Sequence, residues 1–242
     1  MTRAAKARYV TGFSATVERR DGHHPIIFMQ CGPIRHRVTV EKQQASDRLT
    51  RTVRVRKTGF VLPDALARLN SLTIHDLYEC LIHDEQRNQL IIADALHCMQ
   101  KGRWPLILTE RREHVKYLAG FLASAVPNLI VLTGGMTQKE RGVSIKNLQE
   151  SAPRLVLATG RYLGEGFDDQ RLDTLLLALP ISWKGTLAQY AGRLNRACPG
   201  KLEVEIYDYA DLEVPMLKRM FQRRSGGYRR LGYSMPHSKG TD

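Results

Sequence analysis

Five short runs dense in Val, Ile and Leu recur from residue 105 onward, at 105–109, 129–133, 155–158, 174–179 and 203–209. Each is separated from the next by a segment long enough for a helix or a turn. A strand that is apolar on consecutive residues, rather than on alternate ones, has to be covered on both faces. Such strands alternating with helices predict an α/β fold, a parallel sheet with helices on both faces. A parallel sheet releases all its strands at one rim, and ligand contacts gather beyond those carboxyl ends.

Upstream of these strands the period changes. Ile74, Leu77, Tyr78 and Leu81 recur at helical spacing. Residues 88–99 carry Leu90, Ile91, Ala93, Ala95 and Leu96 along a second, longer helix that should stop at Gly102. Val53 and Val55 alternate with Arg54 and Arg56, which suits a half-buried edge strand. The cations around it, Arg48, Arg51, Arg54, Arg56 and Lys57, are read as a solvated edge in preference to a phosphate site. Residues 7–37 are expected to hold two strands, the second at 25–29 between Gly22 and the Cys31-Gly32-Pro33 turn. Residues 41–50 are expected to form a loop between two lobes. At the carboxyl end, 216–230 is basic and partly amphipathic. Ser225-Gly226-Gly227 should interrupt it, and the last ten residues are expected to be disordered.

Charge narrows the class of partner. The 242 residues carry a formal net charge of +13, which favours a polyanion such as nucleic acid. No apolar run approaches the ~18 residues of a membrane span. The first residues, Met1-Thr2-Arg3-Ala4-Ala5-Lys6, lack the apolar core of a signal peptide, so a cytoplasmic location is expected. Cys31, Cys80, Cys98 and Cys198 show no Cys-x-x-Cys spacing. Cys80, His83, His97 and Cys98 could be drawn as a zinc set. His97 and Cys98 are adjacent on an expected helix, however, so their side chains point about 100° apart. No metal site is expected.

Residues 189–196 read Gln-Tyr-Ala-Gly-Arg-Leu-Asn-Arg. On a helix, Arg193 and Arg196 would fall about one turn apart on the same side. Gly192 would allow that helix close to a neighbouring backbone. Planar guanidinium groups held in this way suit the oxygens of a transferring phosphoryl group. The order Gln-x-x-Gly-Arg-x-x-Arg resembles motif VI of superfamily 2 helicases and translocases. Upstream, 158–168 read Ala-Thr-Gly-Arg-Tyr-Leu-Gly-Glu-Gly-Phe-Asp after an apolar run. This resembles motif V of the same superfamily. Residues 8–16, Arg-Tyr-Val-Thr-Gly-Phe-Ser-Ala-Thr, resemble motif III, with Val17 where many relatives have Pro. Thr109-Glu110-Arg111-Arg112, after the first of the five strands, resembles motif IV.

The resemblance implies a RecA-like fold and roles for particular residues. Arg193 and Arg196 would stabilise charge on the γ-phosphate of ATP, with Gln189 beside the nucleotide. Gly164, Gly166, Asp168 and Gly192 would approach the nucleotide. Thr109, Arg111, Thr159 and Gly160 would follow a nucleic-acid backbone, and so would Gly134 and Gly135 beyond the second strand. Ser14, Ala15 and Thr16 would couple hydrolysis to movement. The likeness to type III restriction subunits points to DNA.

Two motifs of that superfamily have no counterpart in the 242 residues. No Gly-x-x-x-x-Gly-Lys-Ser/Thr occurs; the Gly200-Lys201 pair is followed by Leu202, not by a hydroxyl. No Asp-Glu-x-His box occurs either, and His83-Asp84-Glu85 lies in a helical pattern. ATP and Mg are therefore expected only with a partner domain or subunit carrying the Walker A and B motifs. The chain reads as a remnant of a first RecA-like domain (1–37), a linker and edge strand (38–71), a second RecA-like domain (72–215) and a basic tail (216–242). A nucleic-acid-binding module that never meets ATP is the alternative, and neither reading involves a membrane.

The sequence thus makes one direct prediction. These 242 residues alone should show no nucleic-acid-stimulated ATP hydrolysis above a protein-free blank, because no phosphate-cradling loop is present. Turnover that copurifies with the chain and disappears in Arg196→Ala would refute it.

Overall fold

The computed structural model describes residues 9–13, 25–36, 49–67, 72–148, 152–160, 169–181 and 184–236. Its strands are β1 (Thr50–Lys57), β2 (Pro105–Thr109), β3 (Leu129–Leu132), β4 (Leu155–Thr159), β5 (Thr174–Leu177) and β6 (Glu203–Ala210). They lie side by side in the order β1-β6-β5-β2-β4-β3, and every neighbouring pair is parallel. The apolar runs are buried on both faces, as continuous hydrophobicity requires. Leu106, Leu108, Val156, Ala158, Leu175, Leu177 and Ile206 belong to one core. Their neighbours Ile107, Leu155, Leu157, Leu176, Tyr207 and Tyr209 belong to the other.

Helices fill the connections. α1 (Pro25–Cys31) and α2 (Asp64–Ala67) are short; α3 (Ile74–His83), α4 (Glu85–Gln100), α5 (Arg112–Leu122), α6 (Gln138–Leu148), α7 (Lys184–Leu194) and α8 (Pro215–Arg230) form the layers. Local chemistry sets the α3–α4 boundaries. The Thr73 hydroxyl accepts from the Asp76 amide, and the Asp76 carboxylate accepts from the Thr73 amide, a capping box. Asp84 ends α3 and caps α4 by accepting from the Arg87 amide at 2.7 Å. His83-Asp84-Glu85 is therefore a helix junction. α4 and α5 cover one face of the sheet, through Ile91, Ala95, Val115, Leu118 and Leu122. α7 and α8 cover the other, through Leu187, Tyr190, Ala191, Leu194 and Tyr228.

Three sequence expectations are corrected. Residues 25–29 are helical, not a strand, and Pro25 supplies a φ suited to a first helical turn. None of the α1 residues is buried. Ser225-Gly226-Gly227 does not interrupt α8. The glycine serves packing there, since a Cβ on Gly227 would lie 2.9 Å from Leu187 Cδ2 of α7. The segment after α8 is ordered as far as it is described: Tyr233 is buried, and Ser234 bridges to Thr52 on the outer edge of β1. Residues 237–242 lie outside the described residues.

The β1 cations form a solvated edge only in part, with Arg54 and Lys57 exposed. Arg51 is buried, Arg54 pairs with Glu205 and Arg56 with Asp94 at 2.9 Å. Thus 50–57 is built into the same sheet as β6, and 215–236 pack on it. Asp208, in the middle of β6, anchors α8. Its two oxygens accept from Arg224 Nε and Nη2 at 2.8 Å each, and the Tyr228 hydroxyl donates to it at 2.7 Å. All three side chains are buried. Asp208 raises the pKa of Arg224 further above the usual range, outweighing burial, which acts the other way.

Removing one partner of a buried ion pair leaves the other charge stranded. Asp208→Ala and Arg224→Ala should each lower the unfolding free energy by about 3–5 kcal/mol in urea melts. Tyr228→Phe removes a single hydrogen bond and should lose about 1–2 kcal/mol. Losses below about 1 kcal/mol in both ionic variants would show that α8 is held by its apolar face alone.

Candidate functional site

Among the described residues, the carboxyl rim of the sheet is covered over one half and uncovered over the other. Beyond β1, β5 and β6, Phe60, Leu179 and Val214 pack with Leu77, Leu81 and Ile82 of α3 and Leu217 of α8. Beneath them lies Arg87, with no exposed surface; it donates to Asp211 at 3.0 Å and to the Ala178 carbonyl at 2.6 Å. The Thr58 hydroxyl donates to the same Asp211 oxygen. That half of the rim is sealed. The ends of β2, β4 and β3 carry Thr109-Glu110, Thr159-Gly160 and Thr133-Gly134-Gly135.

Thr109 and Thr159 are partners in the β2–β4 register. Their hydroxyls differ. The Asn88 amide nitrogen donates to the Ile82 carbonyl, so Asn88 Oδ1 is left to accept from His114 Nε2 at 2.8 Å. Nε2 then carries the ring proton, and Nδ1 accepts from the Thr109 hydroxyl at 3.0 Å. Thr109 is only 1% exposed. Its hydroxyl is consumed inside the protein, which corrects its assignment as a nucleic-acid ligand. Thr159 is also buried, yet its hydroxyl has no hydrogen-bond partner among the described residues. A buried polar atom of that kind asks for a reason.

Gly160 follows directly. A Cβ there would overlap both the Glu110 carboxylate and the Tyr190 hydroxyl, so any larger residue would have to displace the ends of both side chains. Tyr190 is buried, and burial together with the charge of Glu110 raises its pKa. One turn further along α7 stands Arg193, half-buried, with its pKa lowered by that burial and raised slightly by Tyr190. A guanidinium partly withdrawn from water interacts more strongly with an anion than an exposed one.

Other expected site residues are placed differently. α7 ends at Leu194, so Arg196 is not on the helix face of Arg193. Pro199 and Gly200 (φ 81°) turn the chain there. Arg196 is exposed; its amide donates to the Arg193 carbonyl at 3.4 Å, and its own carbonyl accepts from Lys201 Nζ at 3.2 Å. Gly192 does not serve a close approach, because no described atom lies within 4 Å of where its Cβ would be. Gln189 is exposed on α7. Arg111 donates to His75 and lies over the Tyr78 ring, 5.6 Å from its centroid. Gly134 and Gly135 are exposed, and Gly135 lies against the Arg112 guanidinium. Gly164, Gly166 and Asp168, and likewise Ser14, Ala15 and Thr16, lie outside the described residues. Glu110, Arg112, His114 and Tyr190 were given no role from sequence. Glu110 and Arg112 lie inside the motif IV resemblance and Tyr190 inside the Gln-x-x-Gly-Arg pattern, whereas His114 had no signal.

The comparisons bear on the fold. Superposition on the crystal structure of T4 UvsW gives a TM-score of 0.59 at 17% identity, over 78% of this chain and 41% of that one. S. cerevisiae Dbp5 bound to RNA and ADP BeF3 gives 0.57 at 13% identity, over 92% and 50%. The fold is RecA-like, as in helicase domains. The C-terminal domain of the DEAD-box protein Dbp5, covered to 91%, matches 78% of this chain with a TM-score of 0.51 at 13% identity. In sequence, 139 residues are 24% identical to transcript termination protein A18 of vaccinia virus (strain Ankara), and equally to transcript termination protein OPG145 of monkeypox virus. The match covers 57% of this chain but only 28% of either relative. No protein-family model matches the chain.

The His114 network carries a pH signature. Burial, then the charges of Arg87 and His83, push the imidazole from its ordinary 6.5 to about 3. The unfolded chain takes up a proton below pH 6.5 that the folded chain refuses. Stability should therefore fall as pH drops from about 6.5 toward 3, by at most ~1.4 kcal/mol per pH unit. Urea melts of wild type and His114→Gln between pH 6.5 and 4.5 test this. The variant should lose that part of the slope, and equal slopes would contradict the buried neutral imidazole.

Proposed function

We propose that the chain acts as the second RecA-like half of a nucleic-acid-dependent ATPase, a helicase or translocase. The observation that carries this reading is the junction at Gly160. One glycine joins the strand rim, with its unsatisfied Thr159 hydroxyl, to the helix that presents a half-buried Arg193. A movement of nucleic acid at the rim would reach the arginine helix through Tyr190, and the reverse.

From this side, the described residues suit the phosphate end of a nucleotide. Arg193 and Arg196 are the cations for it, with Gln189 beside them. Among the described residues no group of three or more acidic, His or Cys side chains is placed to hold a metal ion. ATP, with Mg held by the first RecA-like domain, supplies the phosphoryl group. This chain's arginines orient that group and neutralise its charge. The relatives matched in sequence are several times longer than the shared segment, which suits a partnership with a further domain. Thr159, Gly160, Gly134 and Gly135 form the rim that meets the nucleic-acid backbone. We take that nucleic acid to be DNA, on the likeness to restriction-type subunits.

The test is a motor reconstituted with a matching first RecA-like domain. Arg193→Ala and Arg196→Ala should lower ATP turnover by about 10³–10⁵, leaving melting temperature and DNA affinity within error of wild type. Arg→Lys should rescue poorly, since an ammonium lacks the planar fork. Near-normal turnover in both alanine variants would end the helicase reading. Tighter binding of RNA than of DNA of the same sequence would replace DNA as the substrate.

A further inference from the structure

Elsewhere in the molecule, cations inside the fold have been matched to acids. Arg54, Arg56, Arg87, Arg103, Arg154, Arg171 and Arg224 each form an ion pair with an Asp or Glu. α8 breaks the pattern. Its 16 residues hold six Lys and Arg and no acidic residue, and only Arg224 turns inward. Lys218, Arg219, Arg223, Arg229 and Arg230 are exposed, and none of them forms an ion pair among the described residues.

Their placement on the helix is one-sided. At 100° per residue the five cations, with Gln222, fall within an arc of about 140°, opposite the arc of Leu217, Met220, Arg224 and Tyr228. At 1.5 Å rise per residue they run along about 18 Å of helix. At the amino end the arrangement is unfavourable for the helix itself, whereas Arg229 and Arg230 in the last turn suit the macrodipole. The first turn has no acidic residue to complement the macrodipole, and Lys218 and Arg219 follow immediately. Arg219 and Arg223 repel each other at i, i+4. A helix optimised only for folding would alternate the signs of its charges.

The stripe is also firmly mounted. The Asp208–Arg224–Tyr228 cluster ties α8 to β6, and Gly227 seats it on α7. It begins beside the sealed half of the carboxyl rim, where Leu217 packs, and ends near Thr52 at the other end of β1. It therefore runs down the flank of the sheet, away from Thr159 and Gly160.

We infer that the exposed face of α8 is a second contact for nucleic acid, binding the phosphodiester backbone of a duplex outside the cleft. Duplex DNA offers one charge per ~1.7 Å of axis, so about 18 Å of helix faces more phosphates than it has cations. Arginine and lysine on a straight rod bind such a backbone without reading its sequence. The inference rests on the proposed nucleic-acid function, but on residues separate from those of the rim.

The experiment compares three forms of the full chain on a fluorescent 30-base-pair duplex across a salt series. They are wild type, a variant carrying Lys218→Gln, Arg219→Gln, Arg223→Gln, Arg229→Gln and Arg230→Gln, and a rim variant carrying Arg112→Gln with Thr159→Val. If about three of the five cations meet phosphates, the slope of log K against log salt should become shallower by about 2.7 in the α8 variant. Arg112→Gln should change it by no more than about 0.9. An unchanged slope in the α8 variant, with binding intact, overturns the stripe and leaves the rim reading standing. A flattened slope in the α8 variant, with nothing lost in the rim variant, supports the stripe and counts against the rim. No binding by wild type at low salt overturns both. Equal competition by polyglutamate of matched charge would assign the stripe to an acidic protein and overturn the inference. Because the five side chains are exposed, melting temperatures should coincide. Should the fivefold variant melt lower, Arg223→Gln alone decides, with an expected slope change of about 0.9.

Discussion

Parallel pairing imposes one requirement from which most of this architecture follows. Each strand leaves the sheet at the same rim, and each connection must travel back across a face before the next strand can start. Both faces are therefore covered, and the rim becomes the place where loops, helix starts and unpaired strand ends meet. Here the rim is spent unequally. Over β1, β5 and β6 it is closed by α3 and by the buried Arg87–Asp211 pair. Over β2, β4 and β3 no described residue closes it. The chemistry gathers where the covering stops.

The strands were legible because they are apolar on consecutive residues, and a burial pattern of that kind has few solutions. The five runs from 105 onward and the alternating Val53–Val55 segment are all strands, in one parallel sheet. The mistakes arose where tertiary contacts override local propensity. Ser225-Gly226-Gly227 reads as a breaker, yet ion-pair and hydroxyl contacts on both sides of it keep α8 helical, and its glycine fits against Leu187. At 25–29 a short apolar run could be either element, and its composition does not say whether a neighbouring strand exists.

The site was legible in part, and for a related reason. Spacing points to Arg193 and to the Thr159-Gly160 strand end, because those depend on order along the chain. It does not reveal that Thr109 is occupied by His114, that Arg111 is held by His75 and Tyr78, or that α7 ends before Arg196. Each of these depends on a partner distant in sequence or on a turn two residues further on. Charge misled in the opposite direction. A basic chain suggests cations at the surface, yet the arginines of β1 are paired or buried. The acids they meet are buried too, among them Asp94 and Glu205, and Asp208 and Asp211 likewise serve buried arginines. Internal pairing removes negative charge from the surface, so the exterior is more uniformly cationic than the composition suggests.

The bridge from Ser234 to β1 matters to how copies of this protein behave together. β1 is one of the sheet's two edge strands, and its outer side presents the Arg51 carbonyl and the Val53 amide. The Ser234 amide and hydroxyl occupy the first, and the Ser234 carbonyl accepts from the second at 2.8 Å. Tyr233, buried beside them, fixes the segment in place. A chain cut back to the end of α8 would keep its sheet but bare that edge, and a bare parallel edge is a template for another strand. The few residues after α8 thus satisfy backbone groups on one of the sheet's two edges that would otherwise be free to pair with another strand.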